Sequence, residues 1–179
     1  MKGVFSYFLL PMAIVTVLIL LIYASVQQCY RTAANDPQIQ MAGDIAAKLL
    51  KRVSFDKLLQ PDSIEISQSL SPFVVFYDAG RHPISSTGYL DGRIIKLPSG
   101  IFDYLNSHVD NEVTWQPRPG VRMAMVVQKV TGSQTSYVAV GRSLKQVELR
   151  EYSLRLTIII GWIICLILVA LFGFIYIKK

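Results

Sequence analysis

Hydrophobic residues are concentrated in two long uncharged runs, one near each end of the chain. The first run extends from Val4 to Val26 and the second from Leu156 to Ile177. Each is long enough to supply the ~20 apolar residues with which an α-helix crosses ~30 Å of hydrocarbon. Charged residues recur steadily between the runs. The pattern therefore predicts two transmembrane helices that flank one water-exposed domain, residues 27–155.

The first run has a cleaved signal peptide as its alternative interpretation, because Lys2 precedes it. The apolar regions of signal peptides extend over ~7–15 residues and end at paired small residues. The run here continues well beyond that length, and no small residue occupies the paired position near Ala24 and Ser25. We therefore expect an uncleaved helix.

Charged residues at the two ends of the chain predict the orientation. Lys2 precedes the first run, and Lys178 and Lys179 follow the second. Short positively charged ends stay in the cytoplasm. We expect residues 1–3 and 178–179 to be cytoplasmic and the domain to lie outside the cytoplasm. Arg155, at the opposite end of the second run, is the argument for the reverse topology.

An apolar stripe at helical spacing follows the first run. Asp36 and Pro37 are typical of an N-cap and a first helical residue. Steps of three and four residues then predict an amphipathic helix that packs on another element. Its apolar positions are Ile39, Ala42, Ile45, Ala46, Leu49, Leu50 and Val53.

Short apolar runs and turn residues predict strands after this helix. The first two strands are expected over 63–67 and 73–77, with a return strand over 84–86. The turn of this hairpin contains Gly80, which is expected to have positive φ. A second turn is predicted at Asp91–Gly92, before Ile94 and Ile95.

A short helix over 100–109 is predicted next, with Ser99 as its N-cap. One side of this helix, which is expected to cover the sheet, carries Ile101, Tyr104, Leu105 and His108, with His108 at its surface edge. Three strand-like runs then cover 113–116, 121–130 and 135–141, and a turn over 131–134 joins the last two. From Ser143 the sequence is helical without a break into the second apolar run. The predicted fold class is α+β, a five-stranded antiparallel sheet with flanking helices.

Four segments carry a resemblance to a known family. ANDPQIQMAGDIAAKLL, FVVFYDAGRHPISSTGYLDG, RMAMVVQKV and YVAVGRSLKQVELRE resemble the extracytoplasmic input module of bacterial membrane-bound sensor histidine kinases. This module is of the Cache/PDC type and is related to PAS domains. The resemblance covers roughly residues 30–155 and implies a PAS-like sheet in a signal-transduction protein. The family's pattern continues with a HAMP linker, a phosphorylatable histidine and an ATP-binding domain. In the present sequence only two lysines follow Ile177, so these parts of the pattern are not found.

Net charge excludes one class of partner. The chain has 18 Lys and Arg against 12 Asp and Glu, a formal charge of +6. Three of the lysines lie in the tails, which leaves the domain nearly balanced. A balanced domain does not favour nucleic acid. A mixed solvated surface is the simplest interpretation, and weak attraction to anionic headgroups or an anionic ligand is the alternative.

Side chains typical of catalysis or metal binding do not cluster in the sequence. His82 and His108 have no partner at catalytic or metal-ligand spacing. Cys29 and Cys165 are far apart in the predicted topology, and Cys29 is either a reduced thiol or a disulfide partner of its twin in a homodimer. We therefore expect no enzyme activity, no catalytic residue, no metal and no cofactor.

The resemblance implies a ligand site on the sheet face beneath the loop and short helix that follow the first hairpin. Aromatic and cationic side chains there would suit a small anion. The alternative is that the aromatic residues are core and the arginines are solvated. The candidate residues are Tyr89, Trp115, Arg118, Arg122 and Tyr137.

A sensor-like membrane protein is the leading functional hypothesis. Its domain would receive a ligand or protein signal and pass it through the membrane helices to a membrane protein partner, such as a kinase. One alternative is an accessory or structural subunit of a membrane transport or envelope complex. Another is the sensor half of a truncated histidine kinase. The residues expected to transmit the signal are Leu144, Val147, Glu151 and Leu154.

Overall fold

The chain folds into two compact units in the computed structural model. One unit is Thr32–Gln146, and the other combines Met1–Arg31 with Val147–Lys179. The structure describes residues 2–54, 57–58, 63–130 and 135–177, with side chains described from residue 8 to residue 175. The predicted turn over 131–134 lies outside the described residues.

Two long helices form the unit that contains both chain ends. Helix α1 spans Lys2–Ala33, and helix α4, the last helix of the chain, spans Lys145–Ile177. Both are long and apolar enough to cross a membrane. The expected continuity of the last helix from the edge of the domain into the second apolar run is confirmed.

Residues near the start of α1 contact residues near the end of α4, and residues near the end of α1 contact residues near the start of α4. Phe8 lies so close to Gly173 that a Cβ at position 173 would overlap its ring. Farther along, the Trp162 indole Nε1 donates a hydrogen bond of 3.0 Å to Thr16 Oγ1. Glu151 lies 3.8 Å from the Arg31 guanidinium. The two helices are therefore antiparallel neighbours.

The Trp162–Thr16 hydrogen bond should stabilise the helix pair. Its partners lie within the two apolar runs, and in a hydrocarbon environment water does not compete for such polar groups. We expect Thr16→Val to lower the free energy of unfolding of the helix pair by ~0.6–2 kcal/mol. Unfolding in SDS, followed by Trp162 fluorescence in a Trp115→Phe background, measures the change.

Thr157→Val is the matched control for this prediction. The Thr157 hydroxyl donates to the Ser153 carbonyl of its own helix at 3.0 Å. Its removal should leave the pairing of α1 with α4 unchanged. Equal effects of the two substitutions would contradict an interhelical role for Thr16.

The domain contains eight strands and two helices among its described residues. Helix α2 spans Asp36–Leu50 and helix α3 spans Ser99–Tyr104. The strands are β1 Ile64–Glu65, β2 Phe73–Tyr77, β3 Pro83–Ser86, β4 Gly88–Leu90, β5 Arg93–Ile94, β6 Asp110–Arg118, β7 Val121–Lys129 and β8 Tyr137–Ser143.

A five-stranded sheet in the order β3-β2-β8-β7-β6 is the centre of the domain. All neighbouring strands in it are antiparallel, which confirms the predicted α+β class. A second sheet in the order β1-β4-β5 was not predicted. Its strands are two or three residues long, too short to show a periodic pattern.

Helix α2 packs on one face of the large sheet. Its buried apolar residues Ala42, Ile45, Ala46 and Leu49 contact the alternate residues of β2, β7 and β8 that point to this face. The predicted stripe is wrong at both ends. Ile39 and Leu50 are exposed, whereas the polar residue Gln38 is buried.

The start of α2 also differs from the prediction by one residue. Asn35 is the N-cap, Asp36 is already helical, and Asn35 caps no backbone N–H with its side chain. Its amide instead donates a 2.8 Å hydrogen bond to the Glu112 carboxylate of β6. A tertiary contact has therefore replaced the local cap.

Helix α3 and the small sheet cover the opposite face of the large sheet. Phe102 of α3 is fully buried, and its ring makes edge-on contacts with Tyr77 and Tyr137, each with centroids 5.1 Å apart. The helix begins at Ser99, with Pro98 as N-cap, and ends at Tyr104. The predictions of Ser99 as N-cap and of a helix to residue 109 are therefore wrong.

The turn between β2 and β3 places the left-handed residue one position later than expected. Arg81 has φ of +66°, and Gly80 is not among the residues with positive φ. The Arg81 guanidinium forms a 2.7 Å ion pair with Asp103 of α3 and lies 6.0 Å from the centroid of the Phe102 ring. These contacts with α3 offset the cost of the left-handed backbone.

The Tyr77 hydroxyl should make domain stability depend on alkaline pH. It is buried and donates a 3.0 Å hydrogen bond to the Ile95 carbonyl, and burial raises its pKa above the ordinary value. The folded state therefore keeps the proton above pH ~10, where an unfolded tyrosine loses it. The free energy of unfolding should therefore be undiminished below pH ~10. Above pH ~10 it should fall by about 1.4 kcal/mol for each pH unit.

Tyr77→Phe separates the two contributions of this hydroxyl. At neutral pH the free energy of unfolding of the variant should be ~1 kcal/mol lower than that of the parent protein, because the hydrogen bond is lost. Above pH ~10 its stability should fall less steeply than that of the parent protein. Urea titrations at several pH values measure both, with Tyr104→Phe, at an exposed tyrosine, as control. Equal alkaline slopes for all three proteins would contradict the prediction.

Candidate functional site

An open groove lies between the β4–β5 hairpin and the C-terminal half of β6. It encloses about 340 Å³. Trp115 of β6 forms one side, and the hairpin and the residues that follow it form the other. The lining residues are Leu90, Asp91, Arg93, Ile94, Ile95, Lys96 and Trp115.

The turn of the β4–β5 hairpin forms one end of this groove. Asp91 and Gly92 have φ of +53° and +72°, as a two-residue hairpin turn with left-handed central residues requires. The predicted Asp-Gly turn is confirmed.

An ion pair joins this turn to β6. One terminal nitrogen of Arg118 donates to both carboxylate oxygens of Asp91, at 2.8 and 3.0 Å. The side chains are 44% and 64% exposed, so the pair contributes at most about 1 kcal/mol. Its main consequence is geometric, because it ties the hairpin tip to the end of β6.

Glu65 of β1 holds the same turn from the other side. Its carboxylate accepts a 2.8 Å hydrogen bond from the Ser67 hydroxyl. This bond, together with those from the backbone N–H groups of Asp91 and Gly92, lowers the pKa of the Glu65 carboxyl. Hydrogen bonds to a carboxylate favour its charged form. The turn is therefore fixed by β1 as well as by β6.

Positive charge predominates around the groove. Arg93 and Lys96 are exposed side chains in its lining. Among the described residues, no carboxylate lies within ion-pair distance of either one, whereas Arg118 and Asp91 neutralise each other. Two cations are thus available to an incoming ligand.

The sequence-predicted ligand residues are distributed over three places. Trp115 lines the groove. Arg118 is not a lining residue but forms an ion pair with the lining residue Asp91. Tyr89 lies on β4 beside the lining residue Leu90 and pairs with Ile94. The two remaining candidates, Arg122 and Tyr137, lie elsewhere.

Arg122 and Tyr137 have different surroundings. Tyr137 is buried in the core against Phe102. Arg122 is exposed on β7 and precedes Met123, whose side chain is buried on the groove side of the sheet. Side chains alternate along a strand, so Arg122 points to the face that carries α2.

The space directly beneath α3, where the resemblance placed a ligand, is filled by protein side chains. Phe102 occupies it between Tyr77 and Tyr137, and Leu105 is buried beside them. Tyr104 is 48% exposed and stacks on His108 at 3.9 Å, also on the surface. The exposure of Tyr104 differs from the prediction that it lies on the covering side of the helix, whereas His108 lies at the surface as predicted.

Two groove residues that were not predicted from the sequence come from the segment after the Asp-Gly turn. Arg93 and Lys96 bracket the apolar pair Ile94 and Ile95, a cation–apolar–apolar–cation pattern directly behind a tight turn. That pattern was the available signal. Their proximity to Trp115 depends on the fold and has no counterpart in the sequence.

The four residues expected to transmit a signal occupy the junction between β8 and α4. Leu144 lies between the two elements, and its N–H donates a 2.9 Å hydrogen bond to the Arg122 carbonyl. Val147, Glu151 and Leu154 are half-buried on α4 at steps of four and three residues. Glu151 is the partner of Arg31 in α1.

No protein-family model and no curated protein sequence matches the chain.

Proposed function

We propose that this chain is a non-enzymatic, sensor-like membrane protein that relays an extracytoplasmic signal to a partner through its membrane helices. One observation carries the proposal. A row of paired residues crosses three neighbouring strands: Trp115 of β6 pairs with Met123 of β7, and Met123 pairs with Ser143 of β8. This row extends from the groove, through the buried side of β7, to the end of β8. Lys145, the first residue of α4, follows two positions later.

The attachment of α4 to the sheet supports this relay. β8 pairs with both β2 and β7, so it is a central strand of the sheet. Arg142 near its end donates to the Leu70 carbonyl at 3.2 Å and to the Gln146 side chain at 3.3 Å. Strand β8 therefore passes into the first turn of α4 with only Leu144 between them, which is the connection that the proposed relay uses.

The membrane arrangement is part of the same proposal. Two helices anchor the chain in a bacterial inner membrane, both termini are cytoplasmic, and the domain of the Cache/PDC, PAS-like type faces outward. The five-stranded antiparallel sheet with a preceding helix on one face is consistent with that family. A homodimer and a separate membrane-bound output protein, such as a kinase, complete the signalling unit. Movement of α4 along or about its axis is the transmitted change.

An alanine insertion after Leu144 tests the relay. It rotates all of α4 by ~100° relative to the sheet. We expect such an insertion, and point changes at Val147 and Leu154, to alter the transcript profile of cells in which the variant replaces the native protein. An insertion after Asn106, in the exposed turn beyond α3, is the control. A transcript profile that changes on deletion of the gene but not with the α4 variants would contradict the relay.

A docking subunit of a membrane transport or envelope complex is the second candidate function. It is favoured by the filled space beneath α3 and by the exposed apolar side chains of Tyr104 and Val109, which are 48% and 69% exposed. In this case the domain binds protein continuously, and α1 and α4 pack against neighbouring subunits. Such a subunit would co-purify with its complex in a fixed ratio, whereas a relay protein would not.

A further inference from the structure

We infer that the groove between the β4–β5 hairpin and β6 binds a small organic anion with a flat apolar body, of the size of a monocyclic aromatic carboxylate. This inference rests on the proposed sensor function and names the ligand class of the same site. It differs from the site that the resemblance implies, because that space is occupied by Phe102.

The apolar part of the groove is held in place by the domain core. Leu90, Ile94 and Trp115 are half-buried and pack against the buried residues of the core, so one part of each side chain is fixed and another part faces outward. An indole with aliphatic side chains around it provides a stacking surface for a planar apolar group. A fully hydrated inorganic anion would leave this surface unused.

The polar part of the groove selects negative charge. Arg93 and Lys96 both line the groove and stand on either side of Ile94 and Ile95 in the sequence. A guanidinium and an ammonium in the lining of one groove both attract a ligand carboxylate. The carboxylate of Asp91, which would otherwise attract cations, is already bonded to Arg118 at 2.8 Å.

The dimensions limit the ligand to a small molecule. A volume of about 340 Å³ is near the lower end of the ~300–1,000 Å³ range of ligand pockets. A single ring with one acidic group fits within this volume. Because the groove is open, the bound anion keeps part of its hydration and binds with moderate affinity.

Titration with benzoate tests the inference on the full chain in nanodiscs of zwitterionic lipid. Trp162→Phe leaves Trp115 as the sole tryptophan, because the chain contains two. We expect saturable quenching of Trp115 fluorescence by benzoate with a Kd of about 1 mM or tighter. Benzamide, which has the same ring without charge, and inorganic phosphate, which has charge without a ring, should bind at least about tenfold more weakly.

Charge-removing variants assign the contribution of each cation. Arg93→Gln and Lys96→Gln should each weaken benzoate binding roughly fivefold, and the double variant should remove most of its salt dependence. Lys129→Gln is the matched control, because Lys129 is an exposed cation on β7 outside the groove lining. It should bind benzoate as the parent does.

The outcomes separate the ligand class from the relay. Equal binding of benzoate and benzamide, equal effects of Lys96→Gln and Lys129→Gln, or no saturable binding of benzoate would each overturn the inferred ligand class. The relay would then still stand for a protein signal. Benzoate binding without any transcript response in cells that carry the parent protein would support the ligand class and count against the relay.

Discussion

Replacement of Phe102 by alanine is expected to destabilise the domain by ~3–5 kcal/mol in free energy of unfolding. The side chain is fully buried, and its ring is the common neighbour of Tyr77 and Tyr137. Its loss leaves a cavity between two aromatic rings, and the loss of edge-on contacts adds to the cost. Arg81 also loses the ring surface over which its guanidinium lies.

Urea unfolding of the detergent-solubilised chain, followed by circular dichroism of the sheet, measures this effect. Tyr104→Ala is the matched control, because Tyr104 lies on the same short helix and is 48% exposed. That substitution should change the free energy of unfolding by no more than about 0.5 kcal/mol. Similar values for the two variants would mean that α3 contributes through its backbone and not through the Phe102 ring.

Gly141→Ala should destabilise the domain by ~2–3 kcal/mol through overpacking. Gly141 pairs with Phe73 in the register of β8 and β2. A Cβ at position 141 would overlap the far end of the Phe73 ring. That ring is 1% exposed, and its other end lies against Gly88, where an added Cβ would come within 2.6 Å of Cγ. The ring therefore has no space into which it can move.

Two variants make this prediction specific. In a Phe73→Leu background the added methyl of Gly141→Ala meets a shorter side chain, so its cost should fall by more than about 1 kcal/mol. Gly43→Ala in α2 meets no atom within 4 Å and should stabilise the domain by ~0.5–1 kcal/mol, because alanine favours a helix interior. Additive effects at positions 73 and 141 would contradict the packing argument.

Elements whose pattern is local were predictable from the sequence. β2 was predicted over the residues that form it, and the Asp91–Gly92 turn follows from its dipeptide. The edge strand β6 is longer than its apolar pattern indicated, spanning Asp110–Arg118. Its polar ends join the ladder through backbone hydrogen bonds, which depend on the neighbouring strand β7 and not on hydrophobicity.

Elements whose form depends on distant residues were not predictable. Helix α3 ends at Tyr104 after six residues, so His108 is not part of it, and Tyr104 is exposed although Phe102 of the same helix is buried. Phe102 is buried because two tyrosines from separate strands form its surroundings. No local property of its segment distinguishes it from the exposed Tyr104.

The candidate site was predictable only in part for the same reason. Trp115 was singled out by residue type and lines the groove. Arg122 was singled out in the same way, but alternation along β7 places it on the opposite face from Met123. Period-two alternation along β7 separates Arg122 from Met123, but relating Arg122 to Trp115 also requires the register of β6 against β7. The Asp91–Arg118 ion pair joins residues 27 positions apart and required the fold.

Extraction of the tagged protein from its own membranes in mild detergent, followed by mass spectrometry of co-purifying proteins and their ratios, tests the relay function most directly. A sensor-like protein should be recovered as a homodimer with a substoichiometric kinase or other regulatory partner, because its output contacts are transient. Recovery in a fixed ratio with a set of transport or envelope proteins would contradict the relay and identify the chain as a structural subunit.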